Sequence, residues 1–146
     1  MLNDDEIKQI LVNELTKVGA ATGAADGSLN GAAAGAAGAR MAGKINKVKS
    51  YSETRQFNMP GPQLLALIQN MFDNNPPETS QAGSLYFKKL THSGFLNMNP
   101  TILIASIQNN EVQFSGYALE GLINQHSAEK AVKSLLASMG SNTPTA

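Results

Sequence analysis

Apolar residues recur with helical spacing near the start of the chain, at Ile7, Ile10, Leu11, Leu15 and Val18. This predicts an amphipathic helix over residues 3 to 18. Asn3 or Asp4 can cap it, and Asp5 and Glu6 suit the positive first turn. A helix this short is marginal in water by itself, so its apolar stripe calls for a partner.

The pattern then changes character. Residues 19 to 43 hold seven of the thirteen glycines and eleven alanines. Gly19, Gly23, Gly27, Gly31 and Gly35 stand at four-residue intervals, and Ala39 and Gly43 continue the row. Residues four apart share one ridge of a helix, so this ridge is almost bare backbone and admits close approach by another helix. A glycine in an exposed helix costs about 1 kcal/mol relative to alanine, so the row needs packing to hold it. Asp26-Gly27 and Asn30-Gly31 are turn signals inside the row. They divide it into two helices, roughly 3 to 25 and 32 to 46, that can fold as an antiparallel hairpin. Asp26, Ser28 and Asn30 imitate the start of a calcium loop, but its twelfth position is Ala37 where a bidentate Glu belongs, so a turn is the reading.

From about residue 47 the pattern is that of an α+β domain. Val48, Tyr51, Phe57 and Met59 suggest a strand, and Pro60-Gly61-Pro62 launches a helix. Leu64, Leu65, Leu67, Ile68, Met71 and Phe72 mark its buried face, and Asn74-Asn75-Pro76-Pro77 stops it. A second strand spans Leu85 to Leu90, and a loop follows from Thr91 to Pro100. Thr101 to Gln108 and Glu111 to Leu119 flank Asn109-Asn110, a two-residue hairpin turn, because Asn tolerates positive φ. That turn sets Ile107 against Val112, Ala105 against Phe114 and Leu103 against Gly116. One side of the ribbon is therefore core, and the other is mostly polar. Ala128, Ala131, Val132, Leu135, Leu136 and Met139 form a last helical stripe with Ser127 as cap. The expected fold is α+β: a two-layer sandwich of an antiparallel-rich sheet with helices on one face, in the order β-α-β-β-β-α. The N-terminal helical Gly/Ala segment precedes it. The expected division is 1–46, 47–139 and a flexible tail at 140–146.

Composition removes several function classes. Eleven basic and eleven acidic residues cancel, which argues against bulk attraction to nucleic acid. The absence of Cys excludes disulfides, thiolate chemistry and Cys-ligated zinc. The N-terminus is acidic where a targeting signal would be basic, and residues 18 to 39 carry Asp26 and Asn30 mid-segment, so the expected setting is cytoplasmic and soluble. A basic cluster, Arg40, Lys44, Lys47, Lys49 and Arg55, is opposed by Glu53 alone. It reads as the solvated end of a helix or as a membrane-facing flank.

Candidate chemistry is sparse. His92 and His126 have no metal-ligand spacing, His92-Ser93 lacks the context of a nucleophile and base, and the carboxylates are scattered. Gly35-x-x-Gly38 and Lys44 do not complete a phosphate loop, since Ile45 and Asn46 follow the lysine. No catalytic residue, metal site or cofactor is expected. The chain reads as a non-enzymatic binding or assembly module acting through Gly19, Gly23, Gly27, Gly31 and Gly35, with a homodimer as partner state. Two alternatives stand beside it. One is peripheral membrane association through the Gly/Ala segment, and the other is a small-molecule-binding or catalytic α+β domain in which His92 or Glu120 would matter.

Overall fold

A computed structural model of the 146-residue chain describes residues 2–25, 29–79, 83–93, 99–121 and 125–140. The elements are α1 (Asp4–Gly23), α2 (Leu29–Ile45), β1 (Lys47–Gln56), α3 (Gly61–Met71), β2 (Glu78–Thr79), β3 (Leu85–Ser93), β4 (Asn99–Gln108), β5 (Glu111–Glu120) and α4 (Ser127–Gly140). The strands form one antiparallel sheet in the order β1-β5-β4-β3-β2. The chain is thus an α+β protein, as its pattern predicts.

The β4–β5 hairpin has the predicted register: Ile107 pairs with Val112, Ala105 with Phe114 and Leu103 with Gly116. Asn109 adopts the positive φ of 55° that such a turn requires. The sheet's first core face carries Phe87, Leu103, Ala105, Val112 and Phe114, covered by Leu64, Ile68 and Phe72 of α3 and Val132 and Leu135 of α4. Gly116 brings α4 close, since a Cβ there would lie 2.6 Å from the Ala128 carbonyl oxygen. α3 begins with Pro62 in its first turn, and it ends where Asp73 and Asn74 both take positive φ.

α3 and α4 share one face of the sheet, as expected, and the N-terminal segment packs on the other. Tyr86, Ile102, Ile104 and Leu119 form another core there, closed by Ile7 and Leu11 of α1, which are 1% and 0% exposed. The helices therefore do not all lie on one face: α3 and α4 cover one side and α1 the other. Burying an aliphatic side chain of this kind stabilises by about 1.5–3 kcal/mol, so Ile7 and Leu11 fix α1 firmly to the sheet. Asn3 caps α1 and forms a capping box with Glu6, each accepting from the other's backbone N–H at 2.8 Å. Strand lengths differ from the sequence reading. β1 ends at Gln56, before Phe57 and Met59, and β3 runs on to Ser93 where a loop was expected. Residues 26–28 of the turn expected at 26–31, 94–98 of the loop expected at 91–100 and 141–146 of the tail expected from 140 lie outside the described residues, while Gly140 belongs to α4.

Candidate functional site

α1 and α2 pack antiparallel, and glycine sets how closely. A Cβ on Gly19 would lie 2.6 Å from the Gly35 carbonyl oxygen and 2.8 Å from the Ala39 Cβ. A Cβ on Gly23 would run into the Gly31 carbonyl oxygen, and one on Gly35 into that of Gly19. Gly43 admits Val12, whose Cγ2 would sit 2.7 Å from an added methyl. Gly19 and Gly23 thus face Gly31 and Gly35 across a seam inside one chain. Gly27 lies outside the described residues. The four-residue register marks two facing ridges of a helical hairpin, and the glycines at the seam are occupied by their own chain.

What the hairpin leaves open is its outer side. α2 rests chiefly on α1, whereas α1 also packs on β4, β5 and β1. Ala34, Ala37, Gly38 and Met41 of α2 are all exposed, Met41 to 66%. Their spacing of i, i+3, i+4 and i+7 places them in one stripe. Ala34 and Gly38 also line an apolar trough of about 400 Å³ that runs along the hairpin past Leu15, Thr22 and Ala42. Gly38 differs from the seam glycines, because among the described residues no atom beyond its own helical turn lies within 4 Å of where its Cβ would be. Sequence reasoning passed over this stripe because Gly38 falls outside the four-residue row. The signal was the apolar helical spacing of Ala34, Ala37, Gly38 and Met41.

The residues with catalytic potential do not converge. His92 lies near the end of β3, opposite Pro100, and lines a groove beside α4. Glu120 lines a separate cleft of about 100 Å³ with Lys49, Tyr51 and His126. Glu120 is only 4% exposed and acts within the fold. Its carboxylate accepts the Ser127 N–H at 2.6 Å and the Gln125 N–H at 3.2 Å, anchoring the start of α4. The predicted Ser127 cap is shifted by one residue, for the His126 carbonyl accepts the first helical bond, from Lys130. Among the described residues no group of three or more His, Asp or Glu is placed to hold a metal.

The basic cluster is divided between α2, with Arg40 and Lys44, and β1, with Lys47, Lys49 and Arg55. Arg55 pairs with Glu53. Elsewhere, Lys133 holds the Glu129 carboxyl below its ordinary value, and Glu129 raises the Lys133 ammonium in return. Lys88 and then Tyr86 lower Glu78, while the Glu78 carboxylate pushes the Tyr86 hydroxyl up to about 12. Tyr86 donates to Glu78 at 2.6 Å and ties β3 to β2. These are fold-stabilising pairs on different elements.

No family model, curated protein or solved structure matches the chain. Among the described residues no helix is long and apolar enough to cross a membrane.

Proposed function

We propose that the protein is a non-enzymatic assembly module that pairs with a second copy of itself through the outer face of its helical hairpin. Gly38 carries this reading. A glycine inside a helix costs about 1 kcal/mol relative to alanine, and among the described residues nothing beyond its own helical turn approaches Gly38 to require it. Close approach by another helix supplies the reason.

The stripe is self-complementary. In an antiparallel pairing centred between Ala37 and Gly38, Met41 of one copy meets Ala34 of the other, a long flexible side chain against a small one. α2 contains no acidic residue, and its cations Arg40 and Lys44 lie to one side of the centre, so the pairing sets no like charges directly opposite. A cytoplasmic location, which the Cys-free composition accommodates, belongs to the same proposal, and cell fractionation checks it.

Sedimentation of the wild type against Gly38→Leu tests the proposal. The expected result is a concentration-dependent dimer for the wild type and a folded monomer for the variant. Liposome co-sedimentation tests the other occupant of this face. Wild-type protein that pellets with vesicles and stays monomeric in their absence would overturn the assembly reading.

A further inference from the structure

We infer that the groove between α4 and the outer half of β3 binds a small organic phosphate monoester. This site is independent of the α2 face. β2 pairs with β3 only at Leu85 and Tyr86, so the rest of β3 has no described strand on its far edge. The groove there has a volume of about 370 Å³, at the small end of the usual range for ligand sites.

Lys89 and Thr91 of β3 share the sheet face that α4 covers, and with Lys130, Ser134 and Ser138 of α4 they line the groove, which His92 also borders; no carboxylate lines it among the described residues. Lys89 is held in place by Asp73 at 2.7 Å, and the Ser138 hydroxyl donates to the Leu135 carbonyl at 2.6 Å. Lys130, Thr91 and Ser134 make no side-chain hydrogen bond or ion pair with any described residue. The nearest helical carboxylate, Glu129, is directed to the neighbouring face of α4, where it takes Lys133 at 2.6 Å and His126 at 3.3 Å. Lys130 and Ser134 stand one turn apart on the groove side.

Donor type selects the ligand. A planar carboxylate is matched best by the fork of an arginine, and the groove has none. Point-like ammonium groups and separate hydroxyls suit a tetrahedral oxyanion, which offers acceptors in several directions. Leu103, Ala131 and Leu135 line the same groove and give an apolar surface for the body of the ester.

Phenyl phosphate, inorganic phosphate and benzoate titrated separately into the full chain, and followed by backbone amide NMR shifts, test the assignment. Phenyl phosphate is expected to give saturable shifts at residues 89–92 and 130–138 and to bind more tightly than the other two. Lys130→Gln should weaken it about tenfold, about 1.4 kcal/mol. Lys133→Gln, on the neighbouring face of α4, should leave it unchanged. Three results would overturn the proposal: no saturable shift, benzoate equal to phenyl phosphate, or equal loss in both lysine variants.

Discussion

Gly19→Ala and Gly38→Ala are the same chemical change in two adjoining helices, and the structure gives them opposite signs. At Gly19 the new methyl would stand 2.6 Å from the Gly35 carbonyl oxygen and 2.8 Å from the Ala39 Cβ. Carbon contacts are at their best near 3.5–4.0 Å, so the two helices must part by about 1 Å at that level. A gap of that size forfeits about a quarter to a half of the dispersion well for each contact along the seam. Overpacking of this kind costs about 1–3 kcal/mol. Against it stands the helix-propensity gain of alanine over glycine, about 1 kcal/mol. Gly19→Ala is therefore expected to be neutral to destabilising by about 2 kcal/mol. At Gly38 no atom of the described residues beyond its own helical turn lies within 4 Å of the added methyl, and the same substitution should stabilise by about 1 kcal/mol. The chain has no Trp, so denaturant unfolding followed by circular dichroism is the natural assay. Low protein concentration keeps self-association out of the comparison. The two variants should differ by about 1–3 kcal/mol, the overpacking cost alone. Equal stabilisation by both would refute the close seam at Gly19.

Other parts of the fold make equally definite demands. Glu120→Ala leaves the Ser127 and Gln125 N–H groups without their carboxylate; thermal unfolding should report a loss of about 1–3 kcal/mol. Tyr86 keeps its proton up to about pH 12 beside Glu78. Its contribution to stability is therefore whole below the unfolded tyrosine value, about pH 10, and is lost as pH rises from there through 12. Ultraviolet titration of tyrosinate should show one late component, which Tyr86→Phe removes. Asn3→Ala removes the side-chain acceptor of the Glu6 N–H from the capping box on α1 and leaves the backbone half in place, and denaturant unfolding should show a cost of about 1 kcal/mol.

The parts of the fold that were legible in the sequence are those specified by local chemistry. Asn109-Asn110 fixes a two-residue turn, and once that turn is placed the pairing of Ile107 with Val112 follows without further information. Pro62 and the apolar stripe from Leu64 to Phe72 define α3 in the same way. The second core face was not legible. Tyr86, Ile102, Ile104 and Leu119 share their side of the sheet with Lys88, Ser106, Gln113 and Ser115, so the pattern reads as half-polar. Its cover, Ile7 and Leu11, lies 75 or more residues earlier in the chain, and no local period links the two.

The glycine row shows the same division. Its four-residue spacing announced close helix packing, and Gly19, Gly23, Gly31 and Gly35 are indeed where two backbones meet. Spacing cannot say whether the facing ridge belongs to the same molecule. The hairpin answers that for the seam, and it moves the candidate interaction surface to Ala34, Ala37, Gly38 and Met41. Thr101 is a further buried feature without a sequence signal: its hydroxyl oxygen has no hydrogen-bond partner among the described residues, and nothing in the structure explains it.

The mass of the chain in solution bears most directly on the assembly reading. Sedimentation equilibrium over a range of concentrations should give a dimer of the 15.4 kDa chain that dissociates on dilution. Met41→Glu, at a position 66% exposed in the isolated chain, should yield a folded monomer at every concentration. A wild-type monomer throughout, or a dimer indifferent to Met41→Glu, would contradict assembly through the outer face of α2.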